Sequence, residues 1–185
     1  MLHSTLVRCR RTYPHATKVI IGSASRNKRN PDWLPTTART VNAFDRATYA
    51  QWWQPGTISA FLAEHVWEHL TEEQAVQADK IIFEFLKPGG WLRLAVPDGY
   101  TPDPDYIDHV KVGGDNQYHQ QLYTYKTMVQ QLESAGFQVK LLEYFDEHGQ
   151  YHHNPWDITT GFIKRSYANR MRRHLSIVID AIKPQ

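Results

Sequence analysis

The sequence predicts an α/β fold with a mostly parallel sheet. Residues 58–63 and 91–96 form two mostly apolar runs, interrupted only by Ser59 and Arg93, as strands buried on both faces do. Between them lies a segment whose apolar residues recur at helical spacing, namely Ala75, Ala78, Ile81, Ile82, Phe85 and Leu86. Two strands joined by a helix make a crossover unit, so the strands are parallel. Their carboxyl ends then share one edge of the sheet, where α/β proteins bind ligands.

The elements before this unit are short. Residues 18–21 form a β-branched run that predicts the first strand. Residues 26–35 are polar, contain prolines and show no helical period, so the usual first crossover helix is predicted to be absent or reduced to a turn. A second strand is predicted within residues 34–41. Asp45 is a good N-cap for a short helix over residues 46–53.

The helix of the crossover unit carries its own start and stop signals. Thr71 and Gln74 have the spacing of a capping box, which predicts a helix that begins near Glu72. Residues 88–90 read Pro-Gly-Gly and predict its end. The next strand is predicted to begin directly after these glycines.

The second half of the chain adds a helix and two strands. Residues 99–121 contain several prolines and glycines and are predicted to be irregular, with a helical turn near residues 105–110. Thr124 can cap a helix over residues 125–135, and a strand is predicted over 137–145. The run at 175–182 is rich in β-branched residues and predicts a last strand. Because a long polar connection precedes it, we expect an antiparallel edge on an otherwise parallel sheet.

Size and composition fit one domain spanning residues 1–185. A net charge of +2 does not favour a nucleic-acid or membrane partner. Cys9 is the only cysteine, which excludes an intramolecular disulfide and suits a reducing compartment. The sequence contains neither a signal-peptide core nor a run of about 20 apolar residues, so a cytoplasmic protein is expected. Its many aromatic residues leave a homodimer open.

The amino-acid sequences of three segments resemble those of the class I S-adenosylmethionine-dependent methyltransferases, most closely the small bacterial members of the type 11 group. They are AEHVWEHL at 63–70, LKPGGWLRLAVPD at 86–98 and the helix end SAGF at 134–137. The resemblance covers about residues 18–182. It implies a Rossmann-like, seven-stranded, mostly parallel sheet with one reversed strand. It also implies that S-adenosyl-L-methionine is the cofactor and lies across the ends of the first, second and fourth strands.

The resemblance assigns cofactor contacts to the residues that follow those strands. They are Gly22, Ser23, Ala24, Thr37, Arg39, Glu64 and His65. Two places depart from the family. Its GxGxG loop is replaced by Gly-Ser-Ala-Ser at 22–25, and its acid, which accepts both ribose hydroxyls, is replaced by Thr-Ala-Arg at 37–39. Loss of such a charge-assisted pair costs about 1.5–3 kcal/mol, or about one to two decades in affinity. The short connection to Thr57 further predicts that the family's third strand is shortened or absent.

Methyl transfer is an in-line displacement that depends mainly on alignment of donor and acceptor. One base within reach of the acceptor would help, and His65, just past a strand end, is predicted to be that catalytic base. A purely structural role, in which His65 caps the following turn, stays open. The acceptor is predicted to contact residues that follow the next strand and the long loop, namely Pro97, Asp98, Tyr100 and Tyr123.

The sequence thus favours a methyltransferase that acts on a small-molecule acceptor. One alternative is a binding protein that kept the methyltransferase fold and lost catalysis. A remote alternative is a zinc metalloprotease, because His65, Glu68 and His69 match the pattern H-x-x-E-H. That pattern requires both histidines on one face of a helix, whereas the capping box starts the helix only at Thr71. No other metal site is predicted.

Overall fold

The computed structural model describes residues 16–23, 30, 32–167 and 176–185. The described strands are β1 (Lys18–Ile21), β2 (Leu34–Pro35), β3 (Ile58–Glu64), β4 (Leu86–Pro97), β5 (Gln138–Phe145), β6 (Tyr151–His153) and β7 (Ser176–Ile182). The described helices are α1 (Arg46–Ala50), α2 (Glu72–Phe85), α3 (Pro104–Val110) and α4 (Tyr125–Ser134). Single 3₁₀ turns lie at Trp67–His69 and Ile158–Thr160.

The strands form one seven-stranded sheet in the order β2-β1-β3-β4-β7-β5-β6. Strands β2, β1, β3 and β4 are parallel, while β7 is antiparallel to both of its neighbours and β6 is an antiparallel edge strand. The predicted α/β class and mostly parallel sheet are confirmed. The last strand lies inside the sheet, between β4 and β5, and not at its edge. Residues 176–179 are buried, which only a central position provides.

The crossover unit β3-α2-β4 forms as predicted. The capping box is complete, because the Gln74 amide donates to Thr71 Oγ1 and the Thr71 amide donates to Gln74 Oε1. Helix α2 ends at Phe85, and residues 88–90 already belong to β4. The backbone of these residues pairs with Lys183, which follows β7. The helix therefore ends before Pro88, and the strand begins before the glycines and not directly after them as predicted.

Strand β2 is shorter than the predicted range 34–41. The amide and the hydroxyl of Thr36 both donate to the carbonyl of Ile20, at 2.9 and 2.8 Å. The chain then folds into a turn in which the amides of Thr40 and Val41 donate to the carbonyl of Thr37. Pairing with β1 therefore stops after two residues.

Residues 36–57 are all described and contain no strand, which confirms the predicted absence of the family's third strand. The prediction about the first crossover helix falls mainly on residues 24–29 and 31, which lie outside the described residues. Within the described residues, no helix is both long enough and apolar enough to cross a bilayer.

The two faces of the sheet are covered differently. Helices α1, α2 and α4 pack on one face, around the buried side chains Tyr49, Trp67, Phe61, Phe85, Leu94, Met128 and Leu132. The other face carries a smaller apolar cluster that includes Trp33, Leu62, Leu142 and Ile163, with Trp91 and Trp156 packed against it. In the described part of the chain, this second face is covered mainly by the segment 154–163.

Arg93 fixes that segment to the sheet. Its guanidinium donates to both carboxylate oxygens of Asp180, at 2.8 and 2.7 Å, and through Nη1 to the carbonyl of Gly161, at 3.0 Å. Its central carbon lies 4.9 Å from the ring of Trp91 and 4.5 Å from that of Trp156. Arg93 is only 3% exposed, so it is the buried polar centre of this face.

Asp79 is the corresponding polar centre of the helical face. It is fully buried on α2 and accepts hydrogen bonds from Trp67 Nε1, at 2.9 Å, and from Gln131 Nε2, at 2.6 Å. It therefore joins α2 to the turn before it and to α4. Burial raises the pKa of Asp79 from 3.8 to about 6.

We expect the stabilising contribution of Asp79 to fall as the pH rises from 5 to 7. Because its pKa is higher in the folded state, the native protein keeps a proton that the unfolded chain has released. The contribution is therefore complete below about pH 4 and is lost as the pH passes through about 6. Relative to Asp79→Asn, the wild type should be more stable at pH 5 than at pH 7 by about 1 kcal/mol.

Urea denaturation of both proteins at the two pH values measures this difference. Replacing the exposed Asp105 with asparagine is the control, and it should leave the pH dependence unchanged. An identical gap between wild type and Asp79→Asn at pH 5 and pH 7 would contradict the expectation.

Candidate functional site

The candidate site lies at the carboxyl edge of the parallel strands. Strand pairing places Ile21 beside Ala63, and Glu64 beside Ala95. The turns after β1, β3 and β4 therefore lie side by side, as the crossover topology predicts. They carry several of the residues that the sequence predicted for the site.

Gly22 makes the turn after β1. Its φ is +75°, a left-handed conformation that favours glycine. A Cβ at this position would lie 2.6 Å from Val66 Cγ2, so the turn after β1 packs directly on the turn after β3. Ser23 follows and is half-buried, and Ala24 lies outside the described residues. Both the backbone and the space therefore require glycine here.

Glu64 is occupied by the backbone of a distant segment. Its carboxylate accepts hydrogen bonds from the amides of Lys164, at 3.1 Å, and Arg165, at 2.8 Å. The residue therefore holds the segment 164–165 against the strand edge. A cofactor contact by Glu64 stays a prediction, and it would have to share the carboxylate with these amides.

His65 has an unusual backbone. Its φ is +56°, and no other non-glycine residue in the described ranges has a positive φ. A left-handed conformation costs a residue of this kind about 1–2 kcal/mol and is concentrated at functional sites. The conformation is held by a 2.8 Å hydrogen bond from the His65 amide to the carbonyl of Ala95.

The ring of His65 lies between a carboxylate and a hydroxyl. Nδ1 is 2.9 Å from Glu68 Oε1, within ion-pair distance although the orientation is not that of a hydrogen bond. Nε2 is 2.9 Å from the hydroxyl of Ser176, at the start of β7. The His65 side chain is 15% exposed. An imidazole flanked in this way is arranged as an oriented acid or base.

The H-x-x-E-H interpretation is wrong for this fold. The motif is not helical over its length, because Trp67–His69 is a single 3₁₀ turn and His65 precedes it in a left-handed conformation. The ring of His69 instead contacts a distant segment, where its Nδ1 lies 3.2 Å from the carbonyl of Tyr118. The helical face that a metalloprotease of this type needs is therefore absent from the motif.

Asp98 connects two backbone segments next to the site. It is fully buried, and its two oxygens accept hydrogen bonds from the amides of Tyr100, at 2.9 Å, and Phe145, at 2.7 Å. Burial raises the pKa of Asp98 to about 6. Asp98 therefore joins the ends of β4 and β5, and this geometry does not point it at an acceptor.

The other predicted acceptor contacts differ in exposure. Pro97 is buried at the end of β4, and Tyr123 is 3% exposed. Burial also raises the pKa of Tyr123 above its usual value. Tyr100 is half-buried and begins a row of aromatic rings that continues through Tyr125, Tyr144 and His152, with neighbouring ring centres 6.1, 4.7 and 4.8 Å apart. Among these residues, Tyr100 is the better placed for a ligand.

The turn after β2 offers hydroxyls and no carboxylate. The Thr37 amide is used within the turn itself, because it donates a 2.9 Å hydrogen bond to Thr40 Oγ1. Arg39 is exposed on the same turn. The next acid, Asp45, accepts a 3.0 Å hydrogen bond from the Ala47 amide as the N-cap of α1. The ribose-binding acid of the methyltransferase family therefore has no equivalent on this turn.

No protein-family model matches the chain, and no curated protein matches it. Solved structures do match. An S-adenosylmethionine-dependent methyltransferase from Archaeoglobus fulgidus aligns with a TM-score of 0.53 and 14% identity, over 99% of this chain and 95% of its own. One from Thermotoga maritima aligns with a TM-score of 0.53 and 14% identity, over 98% of this chain and 87% of its own.

A longer protein also matches. Phosphoethanolamine N-methyltransferase 2 from Haemonchus contortus, solved in complex with S-adenosyl-L-methionine, aligns with a TM-score of 0.51 and 12% identity. The alignment covers 99% of this chain and 53% of that one. At such identities the similarity is one of fold. The chain has the Rossmann-like fold of the class I methyltransferases, as the sequence predicted.

Proposed function

We propose that this protein is an S-adenosylmethionine-dependent methyltransferase that acts on a small-molecule acceptor. The observation that carries the proposal is the fold, which matches enzymes of this class over nearly the whole chain. The strand edge that binds the cofactor in this fold carries a tight glycine turn and a strained histidine here. The aromatic row that begins at Tyr100 supports a small, partly apolar acceptor.

The residues after β1 fit S-adenosylmethionine better than those after β2. Gly22 adopts a left-handed conformation and packs against Val66, so the turn keeps a tight shape with its backbone amides free of a side chain, as close contact of a cofactor with a backbone turn requires. Gly22, Ser23 and the Thr37 hydroxyl would hold the cofactor. Without a ribose carboxylate, its affinity should be about one to two decades weaker than a charge-assisted pair would give.

When bound, S-adenosylmethionine supplies a methyl group on a positively charged sulfur. His65 Nε2 would accept the proton that the acceptor's hydroxyl or amine loses while its lone pair displaces the sulfur from the methyl carbon; the carbon–sulfur bond breaks and S-adenosylhomocysteine remains. Glu68, at 2.9 Å from Nδ1, stabilises the imidazolium that results. The Ser176 hydroxyl contacts Nε2. It must therefore either move aside for the acceptor or relay the acceptor's proton to the His65 ring.

Gly22→Ala is expected to weaken binding of S-adenosylhomocysteine by about 10-fold or more, equivalent to at least about 1.4 kcal/mol. The added methyl group would meet Val66 and would force the turn open. Isothermal titration with S-adenosylmethionine and S-adenosylhomocysteine measures the effect and also tests the proposed function. If the wild type binds neither compound at millimolar concentration, the function is wrong.

Gly56→Ala is the matched control. Gly56 has almost the same backbone conformation, with φ of +74°, and a Cβ there would meet no atom within 4 Å. It precedes β3, at the opposite end of that strand from the site. Both variants carry the same left-handed penalty, so only Gly22→Ala should lose affinity. Equal affinities for the two variants would contradict the assignment of Gly22.

A second candidate is a binding protein with this fold and without catalysis. Two observations favour it, the missing carboxylate after β2 and the occupation of Glu64 by backbone amides. Such a protein would bind S-adenosylhomocysteine without transferring methyl groups to any acceptor in a broad panel. Release of S-adenosylhomocysteine that depends on an acceptor would eliminate this candidate.

A further inference from the structure

Glu68, His69 and His119 come together beside the candidate site. Each offers one ligand atom, and these atoms all lie within 4.8 Å of one another. Glu68 and His69 belong to the 3₁₀ turn after β3, whereas His119 comes from the long segment between α3 and α4. The rings of His69 and His119 have centres 4.9 Å apart. The two segments thus face each other with their ligating groups inward.

Glu68 is the residue that needs explanation. It is fully buried, and neither carboxylate oxygen accepts a hydrogen bond from any residue that the structure describes. Oε1 faces His65 Nδ1, and Oε2 has no such neighbour among the described groups. A buried carboxylate whose oxygens accept no hydrogen bond is costly, and such groups are usually hydrogen-bonded or bound to a metal ion.

Both histidines are oriented as metal ligands usually are. His69 Nδ1 lies 3.2 Å from the carbonyl of Tyr118, and His119 Nδ1 lies 2.7 Å from the carbonyl of Val110. Because a carbonyl can only accept, the hydrogen of each neutral ring is on Nδ1 and the lone pair is on Nε2. A second-shell carbonyl that fixes the ring in this way is the common arrangement of metal-bound histidine.

Backbone hydrogen bonds hold the two segments together without an ion. The carbonyl of Glu68 accepts from the amides of Gln120, at 2.7 Å, and Gln121, at 3.2 Å. The side chain of Gln121 donates to the carbonyl of Leu70 at 2.9 Å. Zinc holds such ligands at about 2.0–2.2 Å, so their atoms lie about 3.4 Å apart around a tetrahedral ion. The ligand atoms, now within 4.8 Å of one another, would have to move closer by side-chain rotation to reach that value.

We propose that Glu68, His69 and His119 bind a divalent transition-metal ion such as Zn²⁺ or Mn²⁺. Two imidazoles and one carboxylate suit these ions better than Mg²⁺ or Ca²⁺, which prefer oxygen ligands only. Asn116, whose amide nitrogen is 2.9 Å from His119 Nε2, would give up that contact. Three protein ligands leave coordination positions open for water or for another ligand.

The ion would lie next to the predicted catalytic base, because Glu68 also contacts His65. If the protein is the methyltransferase proposed above, an acceptor hydroxyl could occupy an open position, where the ion would ease loss of its proton. This second step rests on the proposed function. Binding of the ion does not, and the two can be tested separately.

The test is a titration of the full chain, freed of metal by dialysis against a chelator, with Zn²⁺, Mn²⁺ and Mg²⁺ in a calorimeter. We expect one tight site for Zn²⁺ and much weaker binding of Mg²⁺. Replacing one ligand, as in Glu68→Gln, His69→Gln or His119→Gln, should weaken Zn²⁺ binding by about 10–100-fold or more. Co²⁺ should give a ligand-field spectrum in the wild type that these variants lose.

His148→Gln is the matched control, because His148 is exposed in the turn between β5 and β6. It should leave Zn²⁺ affinity unchanged. His69 is also exposed, so His69→Gln remains informative if a buried replacement prevents folding. Equal Zn²⁺ affinity in wild type and His69→Gln, or no stoichiometric binding by wild type, would overturn the proposal. If the wild type binds Zn²⁺ but does not bind S-adenosylhomocysteine, the metal site is supported and the proposed function is refuted.

Discussion

Replacement of Arg93 by methionine is expected to lower the free energy of unfolding by about 3–5 kcal/mol. Methionine keeps most of the length of the side chain but removes the charge. The Asp180 carboxylate, only 15% exposed, would then lose its bidentate partner. The carbonyl of Gly161 would lose its donor as well, which would free the segment that covers this face of the sheet. Urea denaturation followed by circular dichroism measures the loss.

Two controls separate burial from charge. Arg46 forms an ion pair with Glu84 in which the two side chains are 51% and 36% exposed, and Arg46→Met should cost less than about 1 kcal/mol. The double variant Arg93→Met, Asp180→Leu removes both buried charges and should recover part of the stability lost by the single variant. A loss for Arg93→Met no larger than that for Arg46→Met would show that this ion pair does not hold the face together.

The helix starts could be predicted because their signals are local. Asp45, Thr71 and Thr124 each precede a helix, and each side chain accepts a hydrogen bond from a backbone amide two or three residues later. The crossover unit followed from two apolar runs with a helical period between them. In each case, the residues that determine the structure lie within a few positions of the element they form.

Features that depend on distant pairs could not be predicted in this way. Arg93 reads as an interruption in an apolar strand, and its partner Asp180 lies 87 residues away. His65 directly follows a strand, which is a local signal, but its contact with Ser176 spans 111 residues and leaves none. The carboxylate of Glu64 accepts a hydrogen bond from an amide 100 residues further along. This residue at the strand edge therefore attaches a distant segment to the sheet.

Strand β6 was missed for a different reason. Residues Tyr151–His153 are few and show no alternation of polar and apolar side chains, so the sequence resembles a polar loop. The segment becomes a strand because β5 offers an unpaired edge, and Glu143 pairs with His153 across it. Edge strands of this kind are set by the neighbour and not by their own composition.

His65→Asn should lower the rate of methyl transfer by about 10²–10⁴-fold, the range that a positioned acid or base contributes. Asparagine tolerates the left-handed backbone that His65 adopts, so the turn should keep its shape. The replacement cannot accept a proton from the acceptor. The measurement is turnover with methyl-labelled cofactor and an acceptor identified by screening the wild type.

Two readouts distinguish a base from a residue that only shapes the turn. Loss of a base lowers kcat and leaves the affinity for S-adenosylhomocysteine within about threefold, because the interaction is made only as the proton moves. Loss of packing instead weakens the turn that contacts Gly22 through Val66, so affinity and thermal stability would fall together. Ser176→Ala adds a further test, since the hydroxyl occupies His65 Nε2. If Ser176 carries the proton between acceptor and ring, its loss must slow turnover as strongly as His65→Asn does, and if it merely yields to the acceptor, turnover must persist.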